Sequence, residues 1–223
     1  MIASLTLVPT PIGNLGDMSP RAVEVLREAD LVLAEDTRTT GNLMRHFSID
    51  TPLQSYHIHN EHKLIAGLIG RMQSGLRLAL CSDAGTPAIS DPGFLLVRAA
   101  MEAGLEVSCL PGPTAFVAAL AASGLPCDRF VYEGFLPHKK GRKTRIEAML
   151  NRPETTVLYE SPHRVVKLLE AMQAQGASER RVCLCREISK LHEEFSRGSV
   201  AELLVKLAEK PPRGEYVVVV AGA

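Results

Sequence analysis

Most of the residues able to do chemistry sit in short polar stretches directly behind apolar runs. The richest is Ser82-Asp83-Ala84-Gly85-Thr86-Pro87-Ala88-Ile89-Ser90-Asp91-Pro92-Gly93, which follows Leu78-Ala79-Leu80-Cys81. It offers a carboxylate, a hydroxyl and a glycine that lets a ligand approach the backbone closely. Two similar clusters are Thr10 to Asn14, and Glu35-Asp36-Thr37-Arg38 behind Leu31 to Ala34. A fourth is Pro111-Gly112-Pro113-Thr114-Ala115, where helix N-terminal amides could receive a carboxylate or a ribose hydroxyl. Neither GxGxxG nor GxxxxGK[ST] occurs in the Ser82–Gly93 loop, so a Rossmann or P-loop phosphate cradle is not expected there. No GxSxG elbow is visible either, which argues against acyl-transfer hydrolysis.

Other charged groups stand apart. His57, His59 and His62 flank Glu61, but no second carboxylate or cysteine nearby completes a metal set, so no metal is expected. A polar rim of His59, Asn60, Glu61, His62 and Lys63 facing a substrate is the preferred reading. Residues 138–145, His-Lys-Lys-Gly-Arg-Lys-Thr-Arg, carry five Lys/Arg in eight positions, and the next acid is Glu147. That density suits a polyanion, with Arg able to fork onto phosphate. Aromatic residues are only 4% of the chain, which gives no support for a base-stacking platform. Glu160-Ser161-Pro162-His163-Arg164 lies at a further strand end, with Ser161 read as a helix cap.

The elements that position these groups follow from patterning. Short apolar runs alternate with helix-period segments, the signature of an α/β protein. Strands are expected at 5–8, 31–34, 77–81 and 105–110, and then at 130–132, 155–159, 181–185 and 216–220. Ser19-Pro20 opens a helix with apolar face Ala22, Val23, Leu26 and Ala29. Helices are also expected at 60–74, 92–103 (with Asp91 as N-cap), 115–122 (capped by Thr114), in the basic segment, from Ser161, and at 199–209. Val217 to Val220 reads as a strand buried on both faces. The pattern restarts near Gly124, giving two α/β halves, 1–120 and 121–223. If the strands are parallel, the polar clusters of the first half open on one edge of its sheet, where ligands bind in open α/β folds.

Bulk properties bound the rest. The 223 residues are 46% hydrophobic, enough for a core, and Lys+Arg and Asp+Glu are both 25, giving a formal charge of +0. Any nucleic-acid role therefore rests on a local patch. Cys81, Cys109, Cys127, Cys183 and Cys185 form no CxxC and read as reduced thiols of a cytoplasmic protein. The N-terminus lacks the basic n-region of a signal peptide, and no run of about 18 apolar residues suggests a membrane span.

Several of these strings carry a resemblance: residues 8–44, SDAGTPAISDPG (82–93), LPGPTA (110–115), GFLPHKKGRK (134–143) and LYESPHR (158–164). Together they resemble the tetrapyrrole methylase superfamily, the class III S-adenosyl-L-methionine-dependent methyltransferases, and within it the branch acting on ribosomal RNA. The tetrapyrrole-modifying branch begins with a GxGxGD-like loop, whereas this chain has Pro9-Thr10-Pro11-Ile12-Gly13-Asn14. The resemblance implies two α/β domains with a cofactor cleft between them, in a homodimer. It implies 2′-O-methylation of a cytidine ribose in the decoding region of 16S ribosomal RNA, with the RNA or the small ribosomal subunit as partner. By motif position it implies cofactor contacts at Pro9, Asp83, Ala84, Gly85, Thr86, Thr114 and Ala115. Tyr159, Glu160 and Tyr216 would touch the adenosyl part, largely through main chain. Apart from the resemblance, their placement at a strand end opposite the cofactor loop leads us to expect that Glu35 or Asp36 fills or supports the role of base, with Arg38 and Lys63 holding phosphate; the sequence does not choose between the two acids. Lys139, Lys140, Arg142, Lys143, His163 and Arg164 would bind RNA. Many members of this branch carry an extra C-terminal segment, and this sequence stops just after its last strand, which places more weight on the basic patch. The rival readings are a small-tetrapyrrole methylase on the same fold, a catalytically silent RNA-binding assembly factor, and a nucleotide-binding oxidoreductase.

Overall fold

The computed structural model describes residues 3–223, which divide into two units, one ending at Thr114 and the other starting at Ala115. The expected boundary at 120 lies inside a helix, Ala115–Ser123, that belongs to the second unit.

The first unit is built on β1 (Leu5–Leu7), β2 (Leu31–Ala34), β3 (Leu53–Ser55), β4 (Leu78–Cys81) and β5 (Val107–Cys109). All pairings are parallel, in the order β3-β2-β4-β1-β5. Between them run α1 (Pro20–Glu28), α2 (Thr37–His46), α3 (Glu61–Gln73) and α4 (Phe94–Glu102). β2 and β4 are apolar along their whole length, and β1 is apolar except for the buried Thr6, because both faces of these strands are covered. Val32, Ala79 and Cys81 pack with Leu26 of α1 and Met44 of α2. Leu31, Leu33, Leu78 and Leu80 pack on the other side with Leu68 of α3 and Leu96 of α4.

Ser19 caps α1 as expected, its hydroxyl accepting the Ala22 amide. Two elements here escaped the sequence reading: α2, whose polar surface hides a buried face of Thr40 and Met44, and the three-residue β3. Asp91 is not the cap of α4. That helix starts at Phe94 behind Gly93, whose φ of 137° no L-residue holds comfortably.

The second unit has α5 (Ala115–Ser123), β6 (Phe130–Phe135), α6 (Arg142–Leu150), β7 (Thr155–Glu160), α7 (Pro162–Gln173), β8 (Arg181–Arg186), β9 (Glu194–Ser199), α8 (Val200–Glu209) and β10 (Tyr216–Val220). Strand order is β6-β7-β10-β8-β9; β6 and β7 are parallel and the other pairs antiparallel. Helices α6, α7 and α8 cover one face and α5 the other. β10 lies at the centre and is fully buried. β9 was not anticipated: Glu194-Phe195-Ser196-Arg197-Gly198-Ser199 reads as polar and is a sheet edge. Ser199 and Glu202 close a capping box that starts α8.

Candidate active site

Every strand of the first unit runs the same way, so the loops after β1, β2, β4 and β5 emerge on one edge. From β1 the chain crosses β4 to reach β2, and from β4 it crosses β1 to reach β5. The connections leave in opposite directions between adjacent β1 and β4, the kind of switch point where open sheets bind ligands. There the two loops are joined in both directions: the Thr10 amide donates to Gly85 O (2.9 Å) and the Gly85 amide to Thr10 O (3.0 Å). The Thr10 hydroxyl donates to Ser82 O at 3.1 Å. The β5 loop closes on the same point, with Thr86 Oγ1 and Thr114 Oγ1 2.6 Å apart and Thr86 Oγ1 donating to Pro113 O at 3.2 Å. Thr114 thus ties the β4 and β5 loops together. A Cβ on Gly112 would sit 2.6 Å from Pro9 Cβ, so only glycine lets the β1 and β5 loops meet.

The 82–93 loop is bent hard. Gly85 (φ 85°), Ala88 (69°), Ser90 (63°) and Gly93 (137°) all have positive φ. Ala88 and Ser90 hold a left-handed conformation that costs about 1 kcal/mol or more each, and such strain concentrates at functional sites. The bend brings carboxylates near one another. Asp83 Oδ1 accepts the Asp36 amide at 3.0 Å. Burial and then the charge of Asp83 raise the Glu35 carboxyl, with His57 opposing. Burial followed by the charges of Glu35 and Asp83 lifts Asp91 to about 6, against a hydrogen bond from Ser82. Asp36 is different. Its Oδ1 caps α2 through the Arg38 amide (2.8 Å) and its Oδ2 pairs with Arg38 Nη2 (2.6 Å), which holds it down at about 2.

A recess of about 350 Å³ lies between the β1 loop, the β4 loop and α2, lined by Thr10, Asn14, Thr40, Asn42, His46 and Asp83, among others. Thr40 is buried and its hydroxyl has no hydrogen-bond partner among the described residues. The sequence reading missed Thr40, Asn42 and His46 because it saw no helix there. It also missed Asp91 as a member of the carboxylate group; Asp-Pro-Gly looked like a helix start. Lys63 is exposed on α3, two residues beyond the buried Glu61, whose carboxylate takes the Tyr56 hydroxyl at 3.3 Å. The expected polar rim thus loses Glu61 to the core.

In the second unit Glu160 and Tyr216 are paired across β7 and β10, while Tyr159 faces the other side of the sheet. Tyr159 packs on the α5 face and Tyr216 on the α6–α8 face. Glu160 is buried, and its carboxylate holds Arg142 Nη2 at 2.7 Å and Arg164 Nε at 2.8 Å. Arg142 and Arg164 were expected on RNA; their heads are instead largely covered against Glu160. Arg145 and Arg152 likewise share the buried Glu133. Lys139, Lys140, Lys143 and His163 are exposed.

This arrangement matches known proteins. The family model for tetrapyrrole (corrin/porphyrin) methylases matches residues 4–204. A protein of Synechocystis named ribosomal RNA small subunit methyltransferase I is 50% identical over 220 residues, covering 98% of this chain and 79% of that protein. One of the same name from Pseudomonas aeruginosa is 50% identical over 222 residues, with the same two coverages of 98% and 79%. The crystal structure of uroporphyrin-III-C-methyltransferase from Thermus thermophilus superposes with a TM-score of 0.67 over 97% of this chain and 93% of that one. At 24% identity this similarity speaks for the fold. With two α/β units, strand-end loops closed on one another, and a match across most of its length, the chain belongs to the tetrapyrrole (corrin/porphyrin) methylase family of methyltransferases.

Proposed function

We propose that the protein transfers a methyl group from S-adenosyl-L-methionine to the 2′-oxygen of a cytidine ribose in the decoding region of 16S ribosomal RNA. The observation that supports an RNA substrate is the 50% identity, across 98% of the chain, to relatives named ribosomal RNA small subunit methyltransferase I. The donor set fits the cofactor. S-adenosyl-L-methionine bears a sulfonium and an ammonium, and the loops behind β2 and β4 gather Glu35, Asp83 and Asp91, whose mutual repulsion a cation relieves. Asp83, Thr86, Thr114 and the backbone of Pro9, Ala84 and Gly85 would hold it. When bound, the cofactor supplies a methyl group already activated by positive charge.

A ribose hydroxyl is a weak nucleophile until its proton leaves, so a base is required. Glu35 fits that task better than Asp36. Its carboxyl is raised and free of an arginine, whereas Asp36 is committed to the α2 cap and to Arg38. Glu35 therefore takes the hydroxyl proton, and Arg38, exposed beside it, is positioned for phosphate. The test is transfer of labelled methyl to small ribosomal subunits that lack ribose methylation, followed by mapping. Label on a single cytidine 2′-oxygen in the decoding region is expected. Label on a tetrapyrrole and none on RNA would refute the reading.

A further inference from the structure

The chain contains ten aromatic residues, four Tyr and six Phe, and the second unit brings five of them into one row. Phe130 lies 6.3 Å from Phe116 between ring centroids, Phe116 stacks on Tyr132 at 4.4 Å, Tyr132 meets Tyr159 edge-on at 5.7 Å, and Tyr159 meets Phe135 at 5.3 Å. The middle three pack on the core under α5. The two ends do not: Phe130 is 43% and Phe135 59% exposed. Single exposed apolar side chains are ordinary. Phe135 is unusual in how it comes to be there.

Alternation along β6 would send Phe135 to the face opposite Tyr132. A bulge between Tyr132 and Gly134 adds one residue, so that Gly134 pairs with Leu158 and Phe135 with Tyr159. The bulge returns Phe135 to the aromatic face and sends Leu136 into the core of the other face. Bulges of this kind re-aim a side chain. Here the re-aimed ring gains solvent exposure.

The segment that follows Phe135 is held in place. Arg164 donates to Leu136 O and Arg142 to Pro137 O, and both guanidiniums are anchored on Glu160. Immediately beyond lie Lys139, Lys140 and Lys143, exposed and without an ion pair among the described residues. Each buried glutamate balances only one of its two arginines, so the surroundings stay cationic.

We infer that Phe135, at the end of this ring row, stacks on an unstacked base of single-stranded RNA, while Lys139, Lys140 and Lys143 contact the flanking phosphates. The inference deepens the ribosomal RNA reading and rests on it. An exposed ring beside a fixed cationic strip is the combination that single-stranded nucleic acid requires. An A-form duplex hides its base faces and offers such a ring nothing to stack on.

The test uses the whole protein and a short single-stranded RNA carrying 2-aminopurine, titrated at several salt concentrations. Phe135→Ala should weaken binding about tenfold or more and abolish the fluorescence quench, with the salt dependence unchanged. Phe135→Trp should retain both. Lys139→Gln, Lys140→Gln and Lys143→Gln together should flatten the slope of log K against log salt by about two. A duplex of the same sequence should bind more weakly and be indifferent to Phe135→Ala. If wild type binds the strand and Phe135→Ala binds it equally well, the stacking role is overturned while the RNA reading stands. If wild type neither binds RNA nor methylates small subunits, the reading beneath it fails as well.

Discussion

Glu35 and Asp36 are adjacent in the chain and opposite in chemistry. One faces burial and the Asp83 carboxylate; the other faces a helix N-terminus and an arginine. Glu35→Gln should therefore lower the methyl-transfer rate at saturating cofactor by about 10²-fold or more. Asp36→Asn should reduce it far less, since asparagine caps a helix about as well as aspartate. Single-turnover rates of the two variants decide between them. Asp91 gives a pH signature. Its folded value of about 6 lies above the usual 3.8, so the folded protein binds the extra proton between those values. Stability contributed by that proton is present at low pH and lost as pH rises through about 6. Asp91→Asn cannot titrate, so its melting temperature relative to wild type should rise between pH 5 and pH 7.5. A constant difference across that range would contradict the carboxylate cluster.

Among the elements, α6 and the two strands beneath it show how charge is distributed. Arg142 and Arg145 lie about one turn apart on α6 and reach Glu160 at the end of β7 and Glu133 in β6. Removing a buried carboxylate that bridges two arginines leaves uncompensated charge. Glu160→Ala should cost about 3 kcal/mol in denaturant unfolding, and Glu160→Gln less, because the amide oxygen still accepts. The loops at the β1–β4 edge are constrained sterically. Gly112→Ala would force Pro9 and the β5 loop apart, because neither pyrrolidine nor backbone can yield as a flexible side chain would. Calorimetry should show S-adenosyl-L-methionine binding weakened about tenfold or more, with a much smaller change in melting temperature.

For the whole molecule, equal numbers of acids and bases conceal a segregated surface. Carboxylates collect behind β2 and β4 in the first unit, and lysines without an ion pair among the described residues follow β6 in the second. Each unit also has its own double-sided core. Leu33 and Leu158 are both fully buried, one in each. Truncation of either to Ala should lower unfolding free energy by about 2–5 kcal/mol, measured in urea. The chain has no tryptophan. A single Trp replacing Phe130 would therefore report the second unit alone, and its transition should move with Leu158→Ala.

The sequence by itself determined the α/β class, eight of the ten strands, and the loops that carry the candidate site. These follow from local rules: doubly buried strands are continuously apolar, and Gly/Pro-rich polar clusters end them. The same rules explain what escaped. β3 is too short to show a period, β9 is a polar edge strand, and α2 is polar except for one buried face. The partners of charged groups were decided only by tertiary structure, because Coulombic and hydrogen-bonded pairs form through space. Residues 138–145 looked unbalanced since their acids, Glu133 and Glu160, arrive on neighbouring strands. Asp91 looked like a helix cap until the bend of its loop set it against Glu35 and Asp83. A composition of 4% aromatics hid the ring row, because one bulge and the β6–β7 register assemble it from residues scattered between 116 and 159.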